Sequence, residues 1–154
     1  MKKGLIFLIL LLILFLFALE GLAYNWVVEA DAVELKIYFF NQEDCLTKIS
    51  YLIKVDGFSK TEVVRKAVEK LLRGPESDNL FSFIPEGTKL NYVILLGETI
   101  ILDFSKELQD YGGGSFNAIH IRQQFEETLY QFPFIKNIIF LVNGEGEESG
   151  VLQP

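Results

Sequence analysis

The sequence predicts an α+β fold, a mixed β-sheet with two α-helices packed on one face, in the order strand, strand, helix, strand, strand, helix, strand. Three observations carry this. Val63, Val64, Ala67, Val68, Leu71 and Leu72 recur at three and four residues, and Ala118, Ile121, Phe125, Leu129 and Phe132 do the same. Each set makes one apolar helical stripe. Around them lie five short runs rich in Val, Ile, Leu, Tyr and Phe, separated by Gly, Pro, Asn and Asp. Stripes and runs alternate in a way that lets both helices cover one sheet.

Val33 to Phe40 opens the fold, with Val33, Leu35, Ile37 and Phe39 on one face; Asn41 to Leu46 turns, and Ile49 to Val55 returns as a second strand. Ser59 and Glu62 have capping-box spacing, so a helix runs from Lys60 to Arg73. Gly74 and Pro75 end it, the first by adopting a left-handed conformation and the second by refusing to continue. Pro85-Glu86-Gly87 fits a type I turn with Pro second and Gly fourth. Leu90 to Leu96 and Thr99 to Phe104 flank Gly97-Glu98, the spacing of a tight hairpin with Gly first. Both runs are almost wholly apolar, which fits burial on both faces, or helices on one face and a partner on the other. Gly112 to Gly114 leads to a second helix, Phe116 to Gln131, capped by Ser115 or Asn117 and ended by Pro133. Ile138 to Val142 is the last strand, closed by Asn143-Gly144.

With 154 residues, half of them apolar, the chain suits one core-bearing domain preceded by an extra element. Met1-Lys2-Lys3 and the uncharged run of residues 4–19 form an export or anchoring segment. As a helix that run rises about 24 Å, short of a hydrocarbon core of roughly 30 Å. Gly21 and Ala23 fit cleavage after Ala23, with retention as a membrane anchor the alternative. Residues 1–23 are therefore the leader, 24–32 a linker, 33–144 the domain and 145–154 a flexible acidic tail. The domain is exported either way, secreted or anchored to the cytoplasmic membrane by its N-terminal segment. Cys45 is the only cysteine, so no internal disulfide supports the fold, and its polar setting does not match a lipidated cysteine.

The chain has 14 basic and 21 acidic residues; without Lys2, Lys3 and Glu20 these become 12 and 20, a net charge of −8. An acidic surface disfavours nucleic acid and anionic lipid at long range. No cofactor motif is present: Gly112-Gly113-Gly114-Ser115 lacks the lysine of a P-loop and the dinucleotide spacing. His120 is the only histidine, which excludes a histidine-based zinc site. Asp103, Asp110, Glu126 and Glu127 carry carboxylates, but no spacing selects a glycosidase pair, and no Gly-x-Ser-x-Gly elbow exists. Asp103 and Ser105 read as turn residues after a strand. Phe81 and Phe83 stand apart from the other aromatics because they lie in a polar loop, where they cover a sheet edge or form a contact patch for a partner.

Leu71, Leu72, Gly74, Pro75, Ile84, Pro85, Gly87, Thr88, Leu90, Asp103 and Ser105, followed by Thr128, Leu129, Phe132, Val142 and Gly144, resemble in order the pattern of the GerMN domain family. That family takes its name from a bacterial spore germination and sporulation protein. The resemblance spans Val33 to Gly144 and implies an extracytoplasmic domain similar to ring-building modules that assemble envelope complexes, with no established enzyme activity. The expected function is a noncatalytic exported cell-envelope domain for protein assembly or anchoring, linked to sporulation, germination or cell-wall processes. Its expected partners are an envelope protein, a second copy, or peptidoglycan. The alternative is an envelope protein that binds or hydrolyses glycan through Asp103 or Glu126.

Overall fold

A computed structural model describes residues 32–43, 46–54, 59–146 and 152. The expected leader, the expected linker apart from Ala32, and Cys45 lie outside the described residues; Ala32, placed in the linker by sequence, opens the first strand. The unit from Ala32 onward contains β1 (Ala32–Asn41), β2 (Leu46–Lys54), α1 (Lys60–Leu72), β3 (Leu80–Phe81), β4 (Leu90–Leu96), β5 (Thr99–Phe104), a 3-10 turn (Lys106–Gln109), α2 (Ser115–Leu129) and β6 (Asn137–Val142). The α+β class and the order of the long elements are as the sequence predicts. The strands, however, form two three-stranded sheets rather than one: β2-β1-β3, all antiparallel, and β4-β5-β6, in which β5 and β6 run parallel. A parallel pair needs a long crossover, and α2 lies within the one joining β5 to β6.

The division has a physical cause on β1. Its odd-numbered residues point Leu35, Ile37 and Phe39 into the core. On the edge away from β2, the main-chain groups of Lys36, Tyr38 and Phe40 need other partners. Phe40 pairs with Phe81 of β3. For the other two, side chains on α2 and just beyond its end stand in for a strand. The Tyr38 N–H donates to Thr128 Oγ1 at 3.3 Å, and Gln124 Nε2 donates to the Tyr38 carbonyl at 3.2 Å. Lys36 exchanges both groups with the Gln131 amide, its N–H to Oε1 and its carbonyl from Nε2, each at 2.8 Å. Gln124, Thr128 and Gln131 thus form a polar row that closes the β1 edge where β4 or β6 would otherwise have to pair.

One core nonetheless spans both sheets. Val64, Ala67, Val68 and Leu71 of α1, Ile121, Phe125 and Leu129 of α2, and Ile100, Leu102 and Phe104 of β5 are all fully buried in it. Phe125 packs on Phe104 and Phe140 at ring separations of 5.0 and 5.5 Å. Burying side chains of this size stabilises by about 1.5–3 kcal/mol each before ordering costs. Leu152, assigned to the tail by sequence, is buried in the same core.

Several local expectations are corrected. The Thr88 N–H bonds the Pro85 carbonyl and Gly87 has φ 82°, so Gly87 is the third residue of a type II turn, not the fourth of a type I turn. Ser59 occupies the N-cap position of α1 in extended conformation but makes no side-chain cap bond. Gly114, rather than Ser115 or Asn117, is the N-cap of α2; Asn117 donates to the Tyr111 carbonyl instead. The β4–β5 turn is as expected: Leu96 faces Thr99 and Gly97 has φ 62°, the geometry of a II′ hairpin.

Candidate functional site

Phe81 and Phe83 project from the segment after α1 toward the start of α2, where they meet three further rings. Phe83 lies edge-on to Phe40 at 4.9 Å and to Phe81 at 5.2 Å. It also contacts Phe116 at 5.7 Å and His120 at 4.6 Å, both on α2. His120 lies tilted against two further rings, 4.1 Å from Phe116 and 5.0 Å from Phe40. Edge-to-face and tilted pairs at these separations add about 0.5–1.5 kcal/mol each beyond area burial. His120 Nδ1 is 2.7 Å from the Phe116 carbonyl; a carbonyl only accepts, so Nδ1 carries the proton of this bond. Phe40 is buried and Phe81 and Phe83 are half-buried, whereas Phe116 is 57% exposed and its neighbour Ile119 48% exposed.

The cluster is held from below by Gln124, which is fully buried. Its Oε1 accepts from the Phe83 N–H at 2.8 Å and from Ser82 Oγ at 3.3 Å, while its Nε2 serves Tyr38. Ser82 Oγ in turn accepts from the Ile84 N–H. One amide therefore fixes a loop, a strand and a helix together. The sequence reading missed Gln124. Its available signal was the spacing of Gln124, Thr128 and Gln131, a polar row at four and three residues that runs beside the apolar stripe of α2 and just past its end.

Beside the rings lies a groove of about 340 Å³ whose walls include Leu72, Gly74, Pro75, Leu80, Phe81 and Ile84. The helix-end residues Gly74 and Pro75 are thereby brought next to Phe81. At the same end of α1, Lys70 hydrogen-bonds Glu76, and this bond and charge, with a smaller contribution from Arg73, hold the exposed Glu76 carboxyl below its ordinary range.

Asp103 and Ser105 are clamps between strands. Asp103 is buried; Oδ1 accepts from the Gly144 N–H at 2.7 Å and Oδ2 from Asn91 Nδ2 at 3.0 Å. Ser105 pairs with Lys89, its Oγ accepting from the Lys89 N–H and its own N–H donating to the Lys89 carbonyl, both at 2.9 Å. Glu126 lies on α2, 3.6 Å from Arg122. Phe104 faces α2 through Phe125, so alternation along β5 places Asp103 on the opposite face of the sheet. The structure does not bring Asp103 and Glu126 together as a hydrolytic pair. Among the described residues no group of three His, Cys, Asp or Glu could hold a metal ion, and no helix is long and apolar enough to cross a membrane.

The family model described as Germane, sporulation and spore germination, matches residues 36–148. The chain belongs to the Germane family. The first GerMN domain of the sporulation protein GerM from Bacillus subtilis is similar to it in structure, with a TM-score of 0.59 and 22% identity over 74% of this chain and 85% of that one. The tandem GerMN domains of the same protein match at 0.57 and 18% identity, over 75% of this chain and 41% of theirs. A crystal structure of a candidate lipoprotein from Clostridium perfringens matches at 0.50 and 20% identity, over 74% and 76%. Comparison with proteins of curated function gave no match. The GerMN resemblance drawn from the turn and helix-end residues is thus borne out, and the solved structures share the Germane fold. Within that fold Gly74, Pro75, Pro85, Gly87, Asp103 and Ser105 stand at a helix end, a turn and two strand clamps.

Proposed function

We propose that this Germane-family chain is an exported, noncatalytic docking domain that acts in spore formation or germination by holding an envelope protein. The observation that carries the reading is the five-ring cluster, anchored beneath by the hydrogen bonds of Gln124 and exposed at Phe116, with Ile119 beside it. Aromatic side chains fixed before binding lose little entropy on contact, which is why they dominate interface energies. Export is supported by the basic start and apolar run of residues 1–19, and the likeness to a candidate lipoprotein agrees with it. A noncatalytic role is supported by Asp103, whose two oxygens are engaged inside the domain, and by Glu126, which faces Arg122.

The test is affinity capture from membrane extracts of sporulating cells, with the recovered proteins identified by mass spectrometry. The same envelope protein is expected in every replicate, with recovery reduced at least tenfold by Phe116→Ser or Ile119→Ser. Recovery that is irreproducible, or indifferent to both substitutions, removes the basis of the proposal. Hydrolysis of purified peptidoglycan that disappears in Glu126→Gln would replace it with the glycan reading.

A further inference from the structure

The geometry points to a second binding surface, the outer face of β4-β5-β6, whose partner is a second copy of this chain packed sheet against sheet. The cross-strand register puts Ile94, Ile101 and Ile139 side by side, an isoleucine row crossing all three strands. On one side of that row lie Tyr92 and Leu141, and on the other Leu96, Thr99 and Asn137. Tyr92 is 64% exposed, Leu96 62%, Ile94 47% and Ile139 40%. The outer face of the first sheet is different, for there Glu34, Lys36, Lys48 and Ser50 point to solvent. Antiparallel and mixed sheets expose a polar face when water is their neighbour, so an isoleucine row facing outward marks a contact surface.

Charge selects the occupant. The chain carries a net charge of −7, and two copies meeting at a typical part of the surface would oppose carboxylates. Among the described residues of β4, β5 and β6, the isoleucine face carries no free charge: its only acidic position is Asp103, which is buried and bonded to Gly144 and Asn91. Like-charged copies can meet there without opposing their charges, whereas a basic partner would gain nothing from it. Size agrees. The four most exposed side chains present roughly 400 Å² per copy, about half of the ~800 Å² that a standard interface buries on each side, which leaves the remainder to the rim. Two such faces related by a two-fold axis would stack about 10 Å apart with interleaved side chains, as in a β-sandwich.

This surface is separate from the ring cluster, so the two proposals fail independently. In full-length chain with Cys45→Ser, a cysteine is introduced by Ile101→Cys at the centre of the row, or by Leu52→Cys on the outer face of the first sheet, where Leu52 is 75% exposed. A sheet separation of about 10 Å is too great for a direct disulfide, so a short bis-maleimide is the probe. Dimer-sized product is expected from Ile101→Cys and at least tenfold less from Leu52→Cys. Adding Ile139→Lys to Ile101→Cys should abolish it, while adding Phe116→Ser should leave it unchanged. Equal crosslinking from both positions, no dimer from either, or dimer that persists with Ile139→Lys overturns the proposal. Circular dichroism of each variant establishes that the fold is retained, which the exposed positions of Leu52 and Ile139 lead us to expect.

Discussion

A single amide, Gln124, does what the sequence would have assigned to a run of backbone. It satisfies Phe83, Ser82 and Tyr38 from a fully buried position. Replacing it with leucine keeps volume but strands the Phe83 N–H and the Tyr38 carbonyl, so Gln124→Leu should lose about 2–4 kcal/mol, read from urea denaturation. A loss under 0.5 kcal/mol would show that water takes over its bonds. Asp103 was legible as a structural residue, but its partners were not, because Asn91 and Gly144 become neighbours only through the sheet. Glu107 offers a pH readout. Its carboxyl is held below the ordinary range chiefly by a hydrogen bond from Ser105, then by its own backbone N–H, with Lys106 and Lys89 contributing less. A depressed folded pKa means that the associated stability is present above the unfolded value and is lost as pH falls through the folded one. Ser105→Ala should raise the Glu107 midpoint in a carbon-13 NMR titration toward that of an ordinary glutamate; an unmoved midpoint would remove Ser105 as the cause.

Element by element, the parts governed by local periodicity were readable. The inner faces of α1 and α2 and the bounds of β4 and β5 follow the residue pattern, because side-chain spacing alone fixes which face an element buries. Beyond the two hairpins, β1–β2 and β4–β5, what pairs with what was not readable. β3 has two residues, too few to show alternation, and exists because Phe40 and Asn41 supply its partner groups. The split into two sheets depends on glutamines and a threonine whose role is visible only once α2 lies along β1. At the β4–β5 hairpin the local rule is strong: Gly97 has φ 62° with open space around it, so Gly97→Ala costs conformational strain without a clash. Thermal melts should show a loss of about 1–2 kcal/mol, and a neutral result would mean that the turn changes type.

At the scale of the molecule, one core joins two sheets, and Leu152 belongs to it although it lies ten residues beyond the end of β6. Leu152→Ala should therefore destabilise the whole domain by about 2–4 kcal/mol in a chemical melt, whereas a frayed tail would leave stability unchanged. The glutamine and threonine row along α2 and its C-terminal turn has another consequence. The amides of Lys36 and Tyr38 belong to a strand by position, but their partners, Gln131 and Thr128, belong to α2 and the turn that ends it. In hydrogen exchange they should lose protection together when α2 lifts away, at a rate unrelated to that of amides paired across β1 and β2. Two labels on one strand would then keep separate clocks, one timing the sheet and the other the helix laid along its edge.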